Sequence, residues 1–405
     1  MNKKKILNDP VYGFINVPFN ILFDIIEHPY FQRLRRIKQV SLTHYVYPGA
    51  LHTRFHHALG AMHLMQHALD VLKTKKVKIT KEERKAALIA ILLHDIGHGP
   101  FSHTLEHTLM NVNHERLSTL FMRKLNDEFD GALDTAIAIF ENRYPKRFLH
   151  QLVSGQLDMD RMDYLNRDSF FTGVSEGVIG HDRIIKMLSV RRNELVVEEK
   201  GIYSLEKFLM ARRLMYWQVY LHKTALCAEQ MLIAIMKRAK ELTDKGAKFS
   251  CSPHLDYFFR NEIDEKKLVK NEKEILYHFS RLDDYDVMSA VKSFTEFDDK
   301  VLSSLATRLI NRRLFKTVMQ STPFVSDFVE KVRQKTAKQL KIPNKYIGYF
   351  VFTGKETNHE YSTSKNEIKI LFKDGTVKPM SESTDYGLQS KSITKYYLCY
   401  PKNVK

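Results

Sequence analysis

The sequence predicts a mainly helical protein with a small N-terminal β-hairpin and a small C-terminal α+β lobe. Three observations carry this expectation. Apolar residues recur at helical spacing from Ile21 to about position 313. Residues 5–18 alternate instead, around Asn8-Asp9-Pro10 and Gly13, which is the pattern of a short hairpin. Beyond Pro343 the chain turns to runs rich in aromatic and β-branched residues.

The elements follow in order. Asn20 to Ile26 starts one helix, and Pro29 opens the next, with Phe31, Leu34 and Ile37 on one face and Arg33, Arg35 and Arg36 around it. Thr53 is the expected N-cap of a helix running to about Leu72. Lys81 to Leu93 is a further helix, with Glu82 and Glu83 in the first turn, where the helix dipole favours anions. Helical patterns continue over 114–125, 131–141, 145–167, 204–244, 273–291 and 298–313, with a small hairpin over 190–203. Strands are expected over 346–352, 367–372 and 396–400, with turns at Gly354 and Lys373-Asp374-Gly375. The implied segments are 1–20 for the hairpin, 21–245 for a helical core, 246–342 for a helical extension and 343–405 for the lobe.

With 405 residues, 43% of them hydrophobic and 27% charged, the chain is long enough for a large core with smaller lobes. Cys227, Cys251 and Cys399 lie far apart, which argues against a disulfide framework or a Cys-based zinc site and for a reducing compartment. The basic N-terminus lacks the apolar core of a signal peptide, and no run reaches the roughly 18 apolar residues of a membrane span. A cytoplasmic protein is expected. The net charge of +17 favours anionic partners, whether nucleotides, nucleic acid or an acidic surface.

The chemistry concentrates where the apolar run Ala86 to Leu93 meets His94-Asp95-Ile96-Gly97-His98-Gly99-Pro100-Phe101-Ser102-His103. An apolar helix rarely ends in such a polar cluster unless that end holds a metal or a phosphate. Arg54 and His57 share a helix face at i, i+3, and so do Asp160, Arg161 and Tyr164 further on. Buried carboxylates need partners. A mixed His/Asp set suits Mn²⁺, Fe²⁺, Ni²⁺ or Zn²⁺ better than Ca²⁺. A second dipeptide, His181-Asp182, has no such context and reads as structural, while His63 and His67 read as packing or surface residues.

The ordered set His57, His94-Asp95 and Asp160 resembles the HD-domain metal phosphohydrolases, and within them the deoxynucleoside-triphosphate (dNTP) triphosphohydrolase branch. The resemblance covers about residues 5–240. It runs through Asn8-Asp9-Pro10-Val11-Tyr12-Gly13, Phe31 to Gln39, Tyr45 to Ala50, Arg54 to His57, His94 to His103, Asp160 to Tyr164 and Tyr220 to Lys223. It implies an HD-domain helical core in 21–245 that hydrolyses dNTPs to deoxynucleoside and inorganic triphosphate, with Mg²⁺ accompanying the substrate. His57, His94, Asp95 and Asp160 would be metal ligands. Arg54, His98, His103, Arg161 and Tyr164 would contact phosphates, with Arg212 a further candidate. Gln39 and Asp168 would bind the sugar 3′-hydroxyl, and Tyr220 would exclude a 2′-hydroxyl. His114, oriented by Glu106, would protonate the leaving 5′-oxygen. Arg161 stands where the vertebrate member has Lys, and Glu106 where it has Asp; each keeps its charge.

The same resemblance implies an activating nucleotide held at a subunit interface by Lys5, Glu27, Gln32 and Arg35, and hence a homo-oligomer, a tetramer or a dimer. Bland alternatives stand beside these roles: His98 and His103 as loop caps, His114 and Arg212 as surface groups, and the Lys5–Arg35 set as an ordinary salt-bridged face. Two rival functions remain open at this stage. One is an HD phosphohydrolase acting on another nucleotide or phosphate ester. The other is a nucleic-acid-binding protein or nuclease, which the positive charge favours.

Overall fold

The computed structural model describes residues 5–358, 367–384 and 392–402. Lys3 and Lys4 of the basic N-terminal run lie outside the described residues. The hairpin forms as expected, β1 (Lys5–Asp9) pairing antiparallel with β2 (Gly13–Val17). Asp9 makes the turn by accepting from the Val11 and Tyr12 amides (2.9 and 3.0 Å), and Gly13 supplies the positive φ of 75°.

The helical body begins with α1 (Asn20–Glu27) and α2 (Pro29–Gln32), the latter tightening into a 3₁₀ turn over Arg33–Arg36. The expected regular helix after Pro29 is therefore a short broken one. α3 (Arg54–Thr74) and α4 (Lys81–Leu93) form the centre. Thr53 caps α3: its amide donates to His56 Nδ1 (3.2 Å). α4 starts with a reciprocal Thr80–Glu83 capping box, and its residues Ala86 to Leu93 are all buried. Every face of that half-helix is apolar because it is packed all round.

Around this centre lie α5 (Glu106–Leu109), α6 (His114–Glu128), α7 (Asp134–Phe140), α8 (Arg147–Val153), α9 (Met159–Thr172) and α10 (His181–Met187). The single helix expected over 145–167 is two. Asp158 interrupts it by accepting from the amides of Gly155 and Arg161 (both 2.7 Å), so its side chain ends one segment and caps the next. The small hairpin is β3 (Leu188–Arg191) and β4 (Glu194–Glu198), shorter than expected because helix resumes at Ile202.

The long helix expected over 204–244 is also broken. α11 (Ile202–Met215) widens into a π turn at Tyr216–Tyr220, and α12 (Lys223–Thr243) restarts behind the His222 cap. The Tyr47 hydroxyl donates to the freed Gln218 carbonyl (2.7 Å). The remaining helices are α13 (Pro253–Arg260), α14 (Glu265–Lys270), α15 (Glu272–Phe279), α16 (Asp284–Phe294), α17 (Lys300–Ile310) and α18 (Ser326–Leu340). The Asp283 cap splits the helix expected over 273–291 into α15 and α16.

The C-terminal strands are β5 (Lys316–Gln320), β6 (Phe352–Asn358), β7 (Lys369–Leu371), β8 (Val377–Pro379) and β9 (Ile393–Tyr400). β7 runs parallel to β4, giving a sheet of order β3-β4-β7-β8, while β9 lies between β5 and β6 in a second sheet. Residues 344–349 are a 3₁₀ helix rather than the expected strand. Their three-residue period puts Tyr346 and Tyr349 on one side, against Arg238 (4.4 and 5.9 Å to the ring centroids). Gly354 is not a turn but a strand residue under Tyr397, whose hydroxyl would lie 2.2 Å from a Cβ there. The turn at Lys373-Asp374-Gly375 forms, with Gly375 at φ 86°.

Candidate active site

Three helices deliver the ligand candidates. His57 stands one turn into α3, His94 and Asp95 follow the last turn of α4, and Asp160 lies in the first turn of α9. Gly60 allows α3 and α9 to approach this closely, since a Cβ there would fall 2.0 Å from Asp163 Oδ1. His57 Nε2 is 3.1 Å from Asp160 Oδ1 and 3.3 Å from His94 Nε2, which is itself 3.5 Å from Asp160 Oδ1. Asp95 adds its oxygens at 3.5 Å from His94 Nε2 and 3.6 Å from His57 Nε2.

The far nitrogens of both imidazoles are committed. His94 Nδ1 donates to the Ile91 carbonyl (2.6 Å), and His57 Nδ1 to the Asp163 carboxylate (2.7 Å). A carbonyl can only accept, so Nδ1 of His94 carries a proton and Nε2 is the nitrogen turned to the cluster. The charge balance also invites a cation. Burial opposes charge on His57, yet Asp160 and Asp163 push its pKa up to about 10. Burial likewise opposes charge on Asp160, but His57 and His94 hold its carboxyl well below the usual range. These donors and this demand for positive charge fit a divalent metal at His57, His94, Asp95 and Asp160.

Beside this group lies a second imidazole cluster. His98 and His114 stack at 4.0 Å between centroids, and His103 meets both edge-on at 4.7 and 5.1 Å. Glu106 joins the outer pair, accepting from His114 Nδ1 (2.7 Å) and His103 Nδ1 (3.0 Å). Burial works against the Glu106 charge, and the two histidines hold its pKa far down. Asn113 caps α6 and so places His114 at the helix start. The loop between the two clusters is anchored at Gly97, whose amide donates to Ser118 Oγ (3.0 Å). Phe101 and Ser102 adopt positive φ (56° and 51°) so that Ser102 Oγ accepts from Arg54 Nε (2.8 Å). Arg54 Nη1 also pairs with Asp95.

On the other flank, Asp168 accepts from His52 (2.6 Å) and Tyr220 (2.7 Å), and Tyr164 meets Tyr220 edge-on. Burial lifts the Tyr164 hydroxyl to about 12. Gln39 Oε1 and Arg212 Nη1 are buried with no hydrogen-bond partner among the described residues, as is Arg161 Nε. Arg161 turns back onto Asp158. The residues expected to bind an activator make contacts of their own. Arg35 donates to Gln32 (2.8 Å) and covers the Phe55 ring, while Lys5 sits over Phe23, one helical turn from the exposed Glu27.

The sequence reading missed His52, Asp163, Arg167 and Asp9. Asp163 and Arg167 had a signal, a charged i, i+4 pair one turn beyond Asp160. Asp9 stood in the Asn8-Asp9-Pro10 motif but was read as a turn residue alone, and His52 had no signal.

A model of the HD domain matches residues 54–168, and one of the HD-associated region matches residues 179–251. A phosphohydrolase from Bacteroides thetaiotaomicron has the same fold, with a TM-score of 0.95 and 51% identity over 98% of this chain and 100% of that one. The chain belongs to the HD-domain phosphohydrolase family. This HD phosphohydrolase is also 32% identical to the uncharacterized protein YwfO of Bacillus subtilis, over 100% of its own length and 94% of that protein's. It is 29% identical to the human deoxynucleoside triphosphate triphosphohydrolase SAMHD1, over 60% of this chain and 46% of that one. Among the described residues of the HD phosphohydrolase, no helix is long and apolar enough to cross a membrane.

Proposed function

We propose that this HD phosphohydrolase hydrolyses dNTPs to deoxynucleoside and inorganic triphosphate. The observation that carries the reading is the succession of contacts across the site. Cation-seeking donors (His57, His94, Asp160) adjoin a basic cluster (His98, His103, His114, Arg54), with His98 Nε2 3.3 Å from Asp95 Oδ1, and Tyr164, one turn beyond Asp160, meets the polar group of Tyr220, Asp168 and Gln39. A substrate with a polyanion at one end and a sugar at the other matches that order. The naming of the SAMHD1 relatives as deoxynucleoside triphosphate triphosphohydrolases supports it.

A divalent metal (Mn, Fe, Ni or Zn) at His57, His94, Asp95 and Asp160 would polarise a phosphoryl oxygen and acidify water, with Mg²⁺ arriving on the triphosphate. The protein groups do the rest. Arg54, His98, His103, Arg161, Tyr164 and Arg212 bind phosphates. Asp168, held by His52 and Tyr220, and Gln39 receive the 3′-hydroxyl. His114 gives its Nε2 proton to the departing 5′-oxygen, with Glu106 fixing the ring through Nδ1. An activating nucleotide at Lys5, Glu27, Gln32 and Arg35 would favour a homo-oligomer.

Incubation with each dNTP and Mn²⁺ or Mg²⁺ in ¹⁸O water tests this. The expected products are deoxynucleoside and triphosphate carrying the label on its terminal phosphorus that was α. Release of a monophosphate, or label in the nucleoside, would refute this reaction.

A further inference from the structure

The turn of the N-terminal hairpin reaches a metal-ligand candidate through an unbroken buried chain. Asp9 closes the hairpin turn and is 7% exposed, while Arg167, Asp163 and His57 are fully buried. Arg167 spreads its guanidinium between two carboxylates. Nε and Nη2 donate to Asp163 (2.9 and 3.0 Å), and Nη1 and Nη2 to Asp9 (2.8 and 3.4 Å). Asp163 Oδ2 then accepts from His57 Nδ1 (2.7 Å). The ring of Tyr12, also at the hairpin turn, covers the Arg167 cation at 5.5 Å. Gly60 marks the tightness of the arrangement, because a Cβ there would strike Arg167 Nη2 (2.2 Å) as well as Asp163.

We propose that Asp9 and Arg167 are positioning residues for the metal centre, which makes the N-terminal hairpin part of that centre. The inference rests on the metal reading above but not on the substrate. A carboxylate behind a ligating histidine sets the ring's orientation and its basicity as a donor. Asp163 shares one oxygen between His57 and Arg167. Asp9 draws part of the guanidinium away and leaves Asp163 more electron density for His57. Without Asp9, Arg167 gives its whole fork to Asp163, and His57 becomes a poorer ligand. A lysine at 167 keeps the charge but cannot bridge two carboxylates with fixed geometry.

The experiment is a titration of the full-length metal-free protein with Mn²⁺, free metal being followed by electron paramagnetic resonance and folding by near-ultraviolet circular dichroism. Affinity should fall in a graded series. Asp163→Asn should lose about 10-fold or more, as removal of such a partner does elsewhere, with Arg167→Lys next and Asp9→Asn smallest but measurable. Ile15→Ala, which loosens the buried side of the hairpin without touching the chain, should leave Mn²⁺ affinity unchanged. Unchanged affinity in folded Asp9→Asn and Arg167→Lys would overturn the proposal. So would an equal loss in Ile15→Ala, because that would be an effect of packing alone. Should Asp9→Asn fail to fold, Asp9→Glu and Arg167→Lys decide the matter. Absence of Mn²⁺ binding by the unsubstituted protein would instead refute the metal reading itself, and failure to cleave dNTPs would leave the titration untouched.

Discussion

The Tyr220 hydroxyl donates to Asp168 Oδ2 at 2.7 Å, while His52 occupies the other oxygen of the same carboxylate at 2.6 Å. The tyrosine ring is therefore not free to swing, and burial together with Asp168 holds its hydroxyl protonated well above the usual range. A ring fixed in this way would make a firm wall against the sugar of the proposed substrate.

Tyr220→Ala should lose discrimination between dATP and ATP, by a factor on the order of 10–100 in the ratio of kcat/KM values, as expected when one steric contact is removed. Tyr220→Phe keeps the ring and should keep most of the discrimination. Steady-state kinetics on both nucleotides check this, and an unchanged ratio in the alanine variant would assign Tyr220 to the core.

Asp160→Ala and the double change His94→Ala/Asp95→Ala should lose bound metal and activity together, because each removes a donor the remaining set cannot replace. Elemental analysis of the purified variants measures it. Full metal occupancy in both would refute the ligand assignment.

His114→Ala should lower kcat on dNTPs by roughly 10²–10⁴-fold, the usual worth of a general acid, with little change in KM. An ester whose leaving group departs without a proton, such as bis(4-nitrophenyl) phosphate, should lose far less. Glu106→Gln should behave in the same direction, since it frees the ring that the 2.7 Å bond holds. Equal losses on both substrates would make His114 a binding residue instead.

Glu229 on α12 predicts a pH-dependent stability. Burial raises its carboxyl to about 7, despite hydrogen bonds from Ser41 and Thr104. The folded state then holds a proton that the unfolded chain releases at its ordinary carboxylate pKa. Stability is full below the unfolded value and falls as pH rises through about 7. Glu229→Gln should therefore raise the unfolding free energy at pH 8 by on the order of 1–3 kcal/mol, seen as a higher urea midpoint, and leave it unchanged at pH 4. Parallel denaturation curves at the two pH values give the answer.

If Lys5, Glu27, Gln32 and Arg35 bind an activating nucleotide, GTP should stimulate dNTP turnover and shift the chain toward a larger oligomer in analytical ultracentrifugation. Glu27→Ala and Arg35→Ala should abolish both responses while leaving metal content intact. Full-rate turnover of each dNTP alone, insensitive to either change, would mean a catalytic site without a switch.

The sequence alone determined the hairpin, the central helices and the ligand candidates, because each rests on local patterning. Asn8-Asp9-Pro10 and Gly13 specify a turn, Glu82 and Glu83 mark the first turn of α4, and a buried helix running into His94-Asp95 advertises a site. Where the reading of elements failed, the cause was also local but finer than periodicity. The Asp158 side chain outcompetes the helix at 154–158, a π turn carries Tyr220, and a three-residue period at 344–349 imitates a strand. Only the tertiary structure joined Asp9 to Arg167 across 158 positions, set His52 against Asp168, and ran β7 parallel to β4. Such contacts depend on which buried groups meet when distant segments pack, and no short-range pattern encodes the partner of a buried charge.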